Sequence, residues 1–289
     1  MTTRRYTRRS PEQRKQQAKQ LHENLQSACD DLATPETWEA YFKFLGGFHD
    51  YSPRNQILIF SQCPQATHVA GYRQWQEKGF QVRKGEKAIK IFGRFTGKTK
   101  DDDSNTTTEE TEANEGTYVY YPVLSVFDIS QVDPITPEAE ANFKKHYPTR
   151  PNTTDMAQIV TNLTSYLKAE QWQFILNTSD DAEGWVIDED ARTIAIDSDA
   201  DNSRTLLELF TVIGENYLLA HNDADAFDYK HEALAAAYLV GNRCKLPLLP
   251  PPAELIPEVD GETETMLDAL IRIRECEELL TTIINSPAE

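Results

Sequence analysis

The sequence predicts an α+β protein in two parts: an N-terminal α+β domain, then a mostly helical domain with a small β-hairpin. Three observations predict it. Apolar residues recur at spacings of three and four in the first sixty residues and again beyond residue 155, the period of half-buried helices. Between these stretches, residues 67–127 hold short runs rich in Val, Ile, Tyr and Phe, separated by turn residues, as strands do. Prolines 134, 137, 148 and 151 then cluster, which places a boundary there.

Each element has a local cause. Leu21, Leu25, Ala28 and Leu32 form one stripe on an otherwise polar helix over 11–33. Thr34 caps a second helix with Pro35 at its first position. Trp38, Tyr41, Phe42 and Leu45 line its inner face, and Gly46-Gly47 ends it. Ser52-Pro53 starts a third helix that runs over 55–62. Residues 67–71, 81–83 and 88–92 are expected to be extended, with Lys84-Gly85-Glu86-Lys87 as a turn. Residues 96–117 contain no large apolar side chain and seven carboxylates, so a disordered loop is expected there, interrupting a hairpin. Strand character returns over 118–127.

The second half opens with a helix over 155–170. A strand pair follows at 184–187 and 193–196, joined by Asp188-Glu189-Asp190. Helices over 203–221 and 229–243 come next, and three prolines at 250–252 break the chain. The last helix, 262–285, carries Met266, Leu270, Ile273, Leu280 and Ile284 on one stripe, which fits a dimer seam or packing within its own domain. The expected organisation is a basic helical arm (1–35), an α+β domain (36–133), a linker (134–151) and a second domain (152–289).

Composition narrows the function classes. The 289 residues suffice for one large or two ordinary domains. No run approaches the ~18 consecutive apolar residues of a membrane-spanning helix. The polar stretch behind Arg4, Arg5, Arg8 and Arg9 lacks the apolar core of an export signal, so a cytoplasmic protein is expected. Cys29, Cys63, Cys244 and Cys276 lie too far apart for a zinc ribbon or a disulfide framework. The net charge of −18 hides an asymmetry: residues 1–95 carry a balance of +7 and the remainder −25. The basic third is the candidate for nucleic acid, because neutralising phosphates supplies most non-specific affinity. Docking of the basic arm on the acidic half is the alternative.

Within that third, aromatic and cationic residues interleave: Tyr51, Arg54, Tyr72, Arg73, Trp75, Arg83, Lys84, Lys87 and Lys90, with Asn55 among them. Single-strand binders combine these two residue types, the cations tracking phosphates and the rings stacking bases. Gly85 lets a phosphate approach the backbone. For Trp38 and Trp75 a place in the core competes with stacking, and Asn55 fits a turn brace equally.

Residues 38–131 resemble a known family. Trp38, Tyr51-Ser52-Pro53-Arg54-Asn55-Gln56-Ile57-Leu58-Ile59, the run from Gln62 to Trp75, Val82-Arg83-Lys84-Gly85-Glu86-Lys87-Ala88-Ile89 and Val126-Phe127-Asp128-Ile129-Ser130-Gln131 are similar to the N-terminal domain of ArdC-type antirestriction proteins. The resemblance implies a small α+β module carried on mobile elements that binds single-stranded DNA.

The second half resembles zincin-like metallopeptidases in frame only. In those, a helix carries His-Glu-x-x-His, whose two histidines bind zinc while the glutamate acts as base. Here Thr211-Val212-Ile213-Gly214-Glu215-Asn216-Tyr217-Leu218 puts Gly214 and Leu218 at the histidine positions. Only Glu215 remains, and Glu232 stands at the position of the downstream ligand. His221 lies nearly opposite Glu215 on the helix, so His221 and His231 do not rebuild the site. The expectation is a catalytically dead domain with no metal and no cofactor, in which Lys230 or His231 partners Glu215.

Three functions follow: a single-stranded DNA-binding, antirestriction-like accessory protein; an acidic half that binds a protein partner by mimicking DNA; and an atypical metallopeptidase recruited to DNA. The acidic loop is expected to be a solvated insertion. Deleting residues 98–115 then leaves DNA affinity at low salt unchanged by fluorescence anisotropy; an increase identifies the loop as an internal competitor.

Overall fold

Local signals hold for most helices and strands. The computed structural model describes residues 10–32, 34–48, 51–98, 113–114, 117–146, 156–177, 186–188, 191–197, 202–222, 229–246 and 262–286. Two units emerge, residues 1–31 with 50–147 and residues 32–49 with 148–289. In chain order, α1 spans Pro11–Leu32, α2 Pro35–Gly47 and α3 Pro53–Gln62. Thr34 caps α2, its hydroxyl accepting from Thr37 N at 3.4 Å. Next come β1 (Val69–Gly71), α4 (Tyr72–Glu77), β2 (Phe80–Val82), β3 (Ile89–Phe92), β4 (Phe95–Lys98), β5 (Ala113–Asn114), β6 (Thr117–Tyr120) and β7 (Val123–Asp128). A 3-10 turn (Ile129–Gln131), β8 (Val132–Pro134) and α5 (Pro137–His146) follow, and all of these elements except α2 belong to the first unit.

Strand β7 is the middle of an antiparallel sheet, β1-β7-β3, with Gly71 and Ile89 both opposite Val126. A sheet this narrow has two edges, and each exposes backbone polar groups. Side chains cover both. From α3, Asn55 donates to Phe92 O (2.8 Å) and accepts from Phe92 N (2.9 Å). Two turns further along the helix, Gln62 bonds Lys90 O and N in the same way, both at 2.9 Å. At the other edge the Tyr51 hydroxyl donates to Val69 O at 2.9 Å. A separate core of Ala70, Trp75, Phe80, Val132 and Ala139 packs beside the sheet, with Phe143 edge-on to Phe80.

The second unit contains α6 (Met156–Ala169), β9 (Gln173–Asn177), β10 (Val186–Asp188), β11 (Thr193–Asp197), α7 (Asn202–His221), α8 (Lys230–Cys244) and α9 (Thr263–Ile284). Strand β11 pairs antiparallel with β10, as the expected hairpin, and parallel with β9. Helices α7, α8 and α9 pack together, and α9 also meets α6. The last helix thus buries Met266, Leu270, Ile273, Leu280 and Ile284 within its own unit. Asn162 on α6 donates to Ile284 O and Ser286 O, both at 3.0 Å, satisfying carbonyls at the end of α9.

The structure departs from the sequence reading in four places. Residues 32–49 cluster with the second unit, where α2 meets α8, so Trp38 lies outside the first unit. The expected linker contains α5, ordered because Ala139 and Phe143 join the first unit's core. Of the expected loop 96–117, β4, β5 and the start of β6 are strands; residues 99–112 and 115–116 lie outside the described residues. The run 118–127 splits at Tyr121-Pro122, since proline has no N–H for a ladder. The basic residues 1–9 and prolines 250–252 also lie outside the described residues. No helix among the described residues is long and apolar enough to cross a membrane.

Asn55→Ala strips partners from both backbone groups of Phe92. The expected loss is about 1–3 kcal/mol in urea unfolding, with Asn55→Asp recovering only part, because a carboxylate cannot donate.

Candidate functional site

Among the described residues of the first unit, the turn between β2 and β3 gathers several cations. Glu86 N bonds Arg83 O at 3.3 Å, and Gly85 sits at φ +95°, the left-handed conformation that the third residue of a type II turn requires. Gln131 locks the far side: its amide donates to Lys87 O (2.8 Å) and Glu86 Oε2 (3.1 Å) and accepts from Asp128 N (2.9 Å). The buried Asp128 carboxylate in turn accepts from Thr67 N, His68 N and Ser130 N at 2.8–3.0 Å. A fixed turn therefore presents Lys84 and Lys87, both exposed and without an ion pair among the described residues. Cations carried on a fixed backbone lose less freedom on binding an anion than those on a mobile loop.

Arg83 is not part of that pair. Its guanidinium bridges Glu86 (3.1 Å) and Asp133 (3.1 Å) and donates to Ser130 O. Its expected role is corrected in one respect: these bonds make it a brace between the turn and β8, although the side chain stays 40% exposed. Trp75 is likewise corrected: it is 1% exposed, with its indole N–H on Phe127 O at 2.8 Å, and cannot stack a base without unfolding the core. Tyr51 and Asn55 are edge caps of the sheet, as described above.

The remaining expected residues lie at the surface. Tyr72 is exposed and its hydroxyl accepts from Gln81 at 2.8 Å, tying the start of α4 to the strand that runs into the lysine turn. Arg73 beside it is exposed and has no ion pair among the described residues. Lys90 donates to Ser125 Oγ at 2.7 Å, and Arg54 is half-buried on α3. Sequence reasoning missed Gln62 and Gln131, which hold the sheet edge and the lysine turn. The seven-residue spacing from Asn55 was the available signal for Gln62.

In the second unit the positions that resemble a zinc site are filled. At Gly214 on α7, an added Cβ meets Cys276 Sγ at 2.5 Å, Ala233 Cβ at 3.2 Å and Ala233 Cα at 3.4 Å. No side chain fits there, least of all an imidazole. Leu218 is fully buried and offers no lone pair. Glu232 takes Arg272 Nη2 at 2.9 Å, and that guanidinium lies 5.5 Å from the Tyr229 ring centroid. Glu277 pairs with Arg243 across the same helix contact. Burial, reinforced by Glu277, pushes the Cys276 thiol far above its usual range, so it is an inert packing group. Glu215 is half-buried, and His221 is exposed with Nδ1 on Tyr217 O at 2.8 Å. These residues do not fit a bound metal. Among the described residues, no three His, Cys, Asp or Glu side chains gather in a ligating group.

Comparisons bear on both units. Residues 11–127 match the family model of the N-terminal domain of the anti-restriction factor ArdC. A Bacillus anthracis protein, the uncharacterized pXO2-81, is 37% identical over 92 residues, 32% of this chain; that stretch spans only 16% of the relative. The metal-free crystal structure of the antirestriction ArdC protein from the R388 plasmid superposes at a TM-score of 0.57. The superposition covers 92% of this chain and 99% of that one at 14% identity, a likeness of fold.

Gly214→Ala is expected to lower stability by about 1–3 kcal/mol in urea unfolding through overpacking, and Cys276→Ala in the same chain to relieve most of that loss. Arg272→Met leaves Glu232 buried without a counter-charge, a loss of about 3–5 kcal/mol that Glu232→Gln partly reverses.

Proposed function

We propose that this protein is a single-stranded DNA-binding, antirestriction-like accessory protein of mobile-element type, acting in the cytoplasm, whose second unit is a peptidase-like scaffold without peptidase chemistry. The observation that carries the DNA reading is the fixed turn with Lys84 and Lys87, inside the stretch that matches the ArdC N-terminal domain. Arg73 adds charge and Tyr72 an exposed ring, the two components a single strand needs. The positive balance of residues 1–95, on a chain of net charge −18, supports phosphate as the ligand of this part. The R388 plasmid protein that shares this fold is an antirestriction protein, which supports the same reading for this chain.

The reading of the second unit rests on packing. Catalytic zinc requires three protein ligands and an open position. Gly214 is closed by Cys276, and Glu232 already holds a guanidinium. A scaffold role follows, with the charge of Arg272 in contact with the carboxylate that a metal would otherwise neutralise. One observation favours a second reading, an acidic surface for a basic protein partner: α9 exposes Glu264, Asp268, Glu275 and Glu278 at spacings of four, seven and three.

Anisotropy with labelled single- and double-stranded oligonucleotides across a salt series tests the DNA reading. Tighter single-strand binding that weakens with salt is expected. Lys84→Ala with Lys87→Ala reduces the single-strand salt slope by about 1.4, at ~0.7 per phosphate contact, and leaves the melting temperature unchanged. Arg83→Ala lowers the melting temperature instead. Absence of binding at low salt overturns the reading and directs attention to the acidic surface.

A further inference from the structure

We propose that the stacked pair Phe95–Tyr120, at the root of the β4–β6 hairpin, is a base-stacking platform for single-stranded DNA, with Arg94 as its phosphate contact. This rests on the single-strand reading above and assigns it a site outside the lysine turn. Phe95 is 46% exposed, although phenylalanine ordinarily buries its ring. It lies directly across the ladder from Tyr120, with ring centroids 5.7 Å apart and planes 28° from parallel. Stacked on Tyr120 by one face and nearly half exposed, the Phe95 ring is a supported π surface of the kind that accepts a base.

The ring is also held in place. A Cβ at Gly93 would lie 2.9 Å from Phe95 Cε2 and 2.6 Å from Leu124 Cδ1. Phe95 therefore has one ring edge against the bare backbone of Gly93 and one face stacked on Tyr120, and these two contacts hold it. A ring ordered before binding adds little entropy cost when a base stacks on it. Arg94, next in the chain, is exposed and has no ion pair among the described residues. An aromatic surface with an exposed arginine one residue before it in the chain suits a nucleic-acid strand better than an apolar protein surface, which would leave that charge unmatched.

The test uses the full chain and a labelled oligo-dT, with Phe95→Leu, Phe95→Trp and Arg94→Gln beside the unaltered protein. Stacking is worth about 1–3 kcal/mol per base, so Phe95→Leu is expected to weaken binding about 5- to 150-fold with an unchanged salt slope. Phe95→Trp retains the affinity. Arg94→Gln reduces the salt slope by about 0.7. Equal affinity of Phe95→Leu and the unaltered protein overturns the platform while leaving the single-strand reading intact. Loss of affinity in Phe95→Trp as well also overturns it, because packing rather than stacking then decides. No binding by the unaltered protein overturns both.

Discussion

Backbone satisfaction at the edges of a three-stranded sheet is the constraint on which the N-terminal unit depends. Only β7 has neighbours on both sides. Lys90 and Phe92 each direct an N–H and a C=O away from it, and Val69 a C=O. Buried or half-buried, such groups need partners. Three side chains from 51–62 supply them: Tyr51, Asn55 and Gln62. The same bonds dock α3 against β3 and blunt both edges against pairing with another chain. Asp128, at the end of β7, extends this scheme to the 67–68 backbone and the 3-10 turn, and through Gln131 to the lysine turn. The surface presented to a ligand is therefore a consequence of how the sheet closes its own hydrogen bonds.

That scheme sorts the cations by role. Arg83 has five donors in a planar fork, and the structure uses them on two carboxylates and on backbone carbonyls. Lys84 and Lys87 carry compact charges on flexible stems and stay in solvent one and four residues further on. Within one five-residue run all three cations are exposed, but Arg83 is engaged by two carboxylates while Lys84 and Lys87 have no ion pair among the described residues. Such an arrangement favours phosphate attraction over recognition of any particular base.

In the second unit, small residues set the spacing of the helices. Gly214 and Ala233 let α7 and α8 approach closely, and Cys276 of α9 fills the gap left at Gly214. Two carboxylates buried by this packing, Glu232 and Glu277, each meet an arginine from the opposing helix, Arg272 and Arg243. Removing charge from water is costly, so these pairs matter chiefly as pairs. They fix the register of α8 against α9.

Much of the chain was legible before the structure. Caps and period placed α1, α2, α3, α6, α7, α8 and α9, because helix ends and faces depend on residues within a turn or two. The 84–87 turn and the 186–197 hairpin are equally local. Tertiary contacts decided the rest. Residues 137–146 look like a proline-rich linker until Phe143 finds Trp75 and Phe80; β4 and β5 arise in a polar stretch because β6 offers a ladder; α2 joins the second unit because its aromatic face meets α8. The site divides in the same way. The sequence by itself determined that cations and rings interleave in the first third, and that no histidine stands at 214 or 218. Only the tertiary structure decided that Tyr51, Asn55 and Trp75 are taken up by the fold, that Arg83 braces a turn from the surface, and that Tyr72, Arg73, Lys84 and Lys87 face solvent. A side chain's availability depends on partners tens of residues away, and no local pattern records those distances.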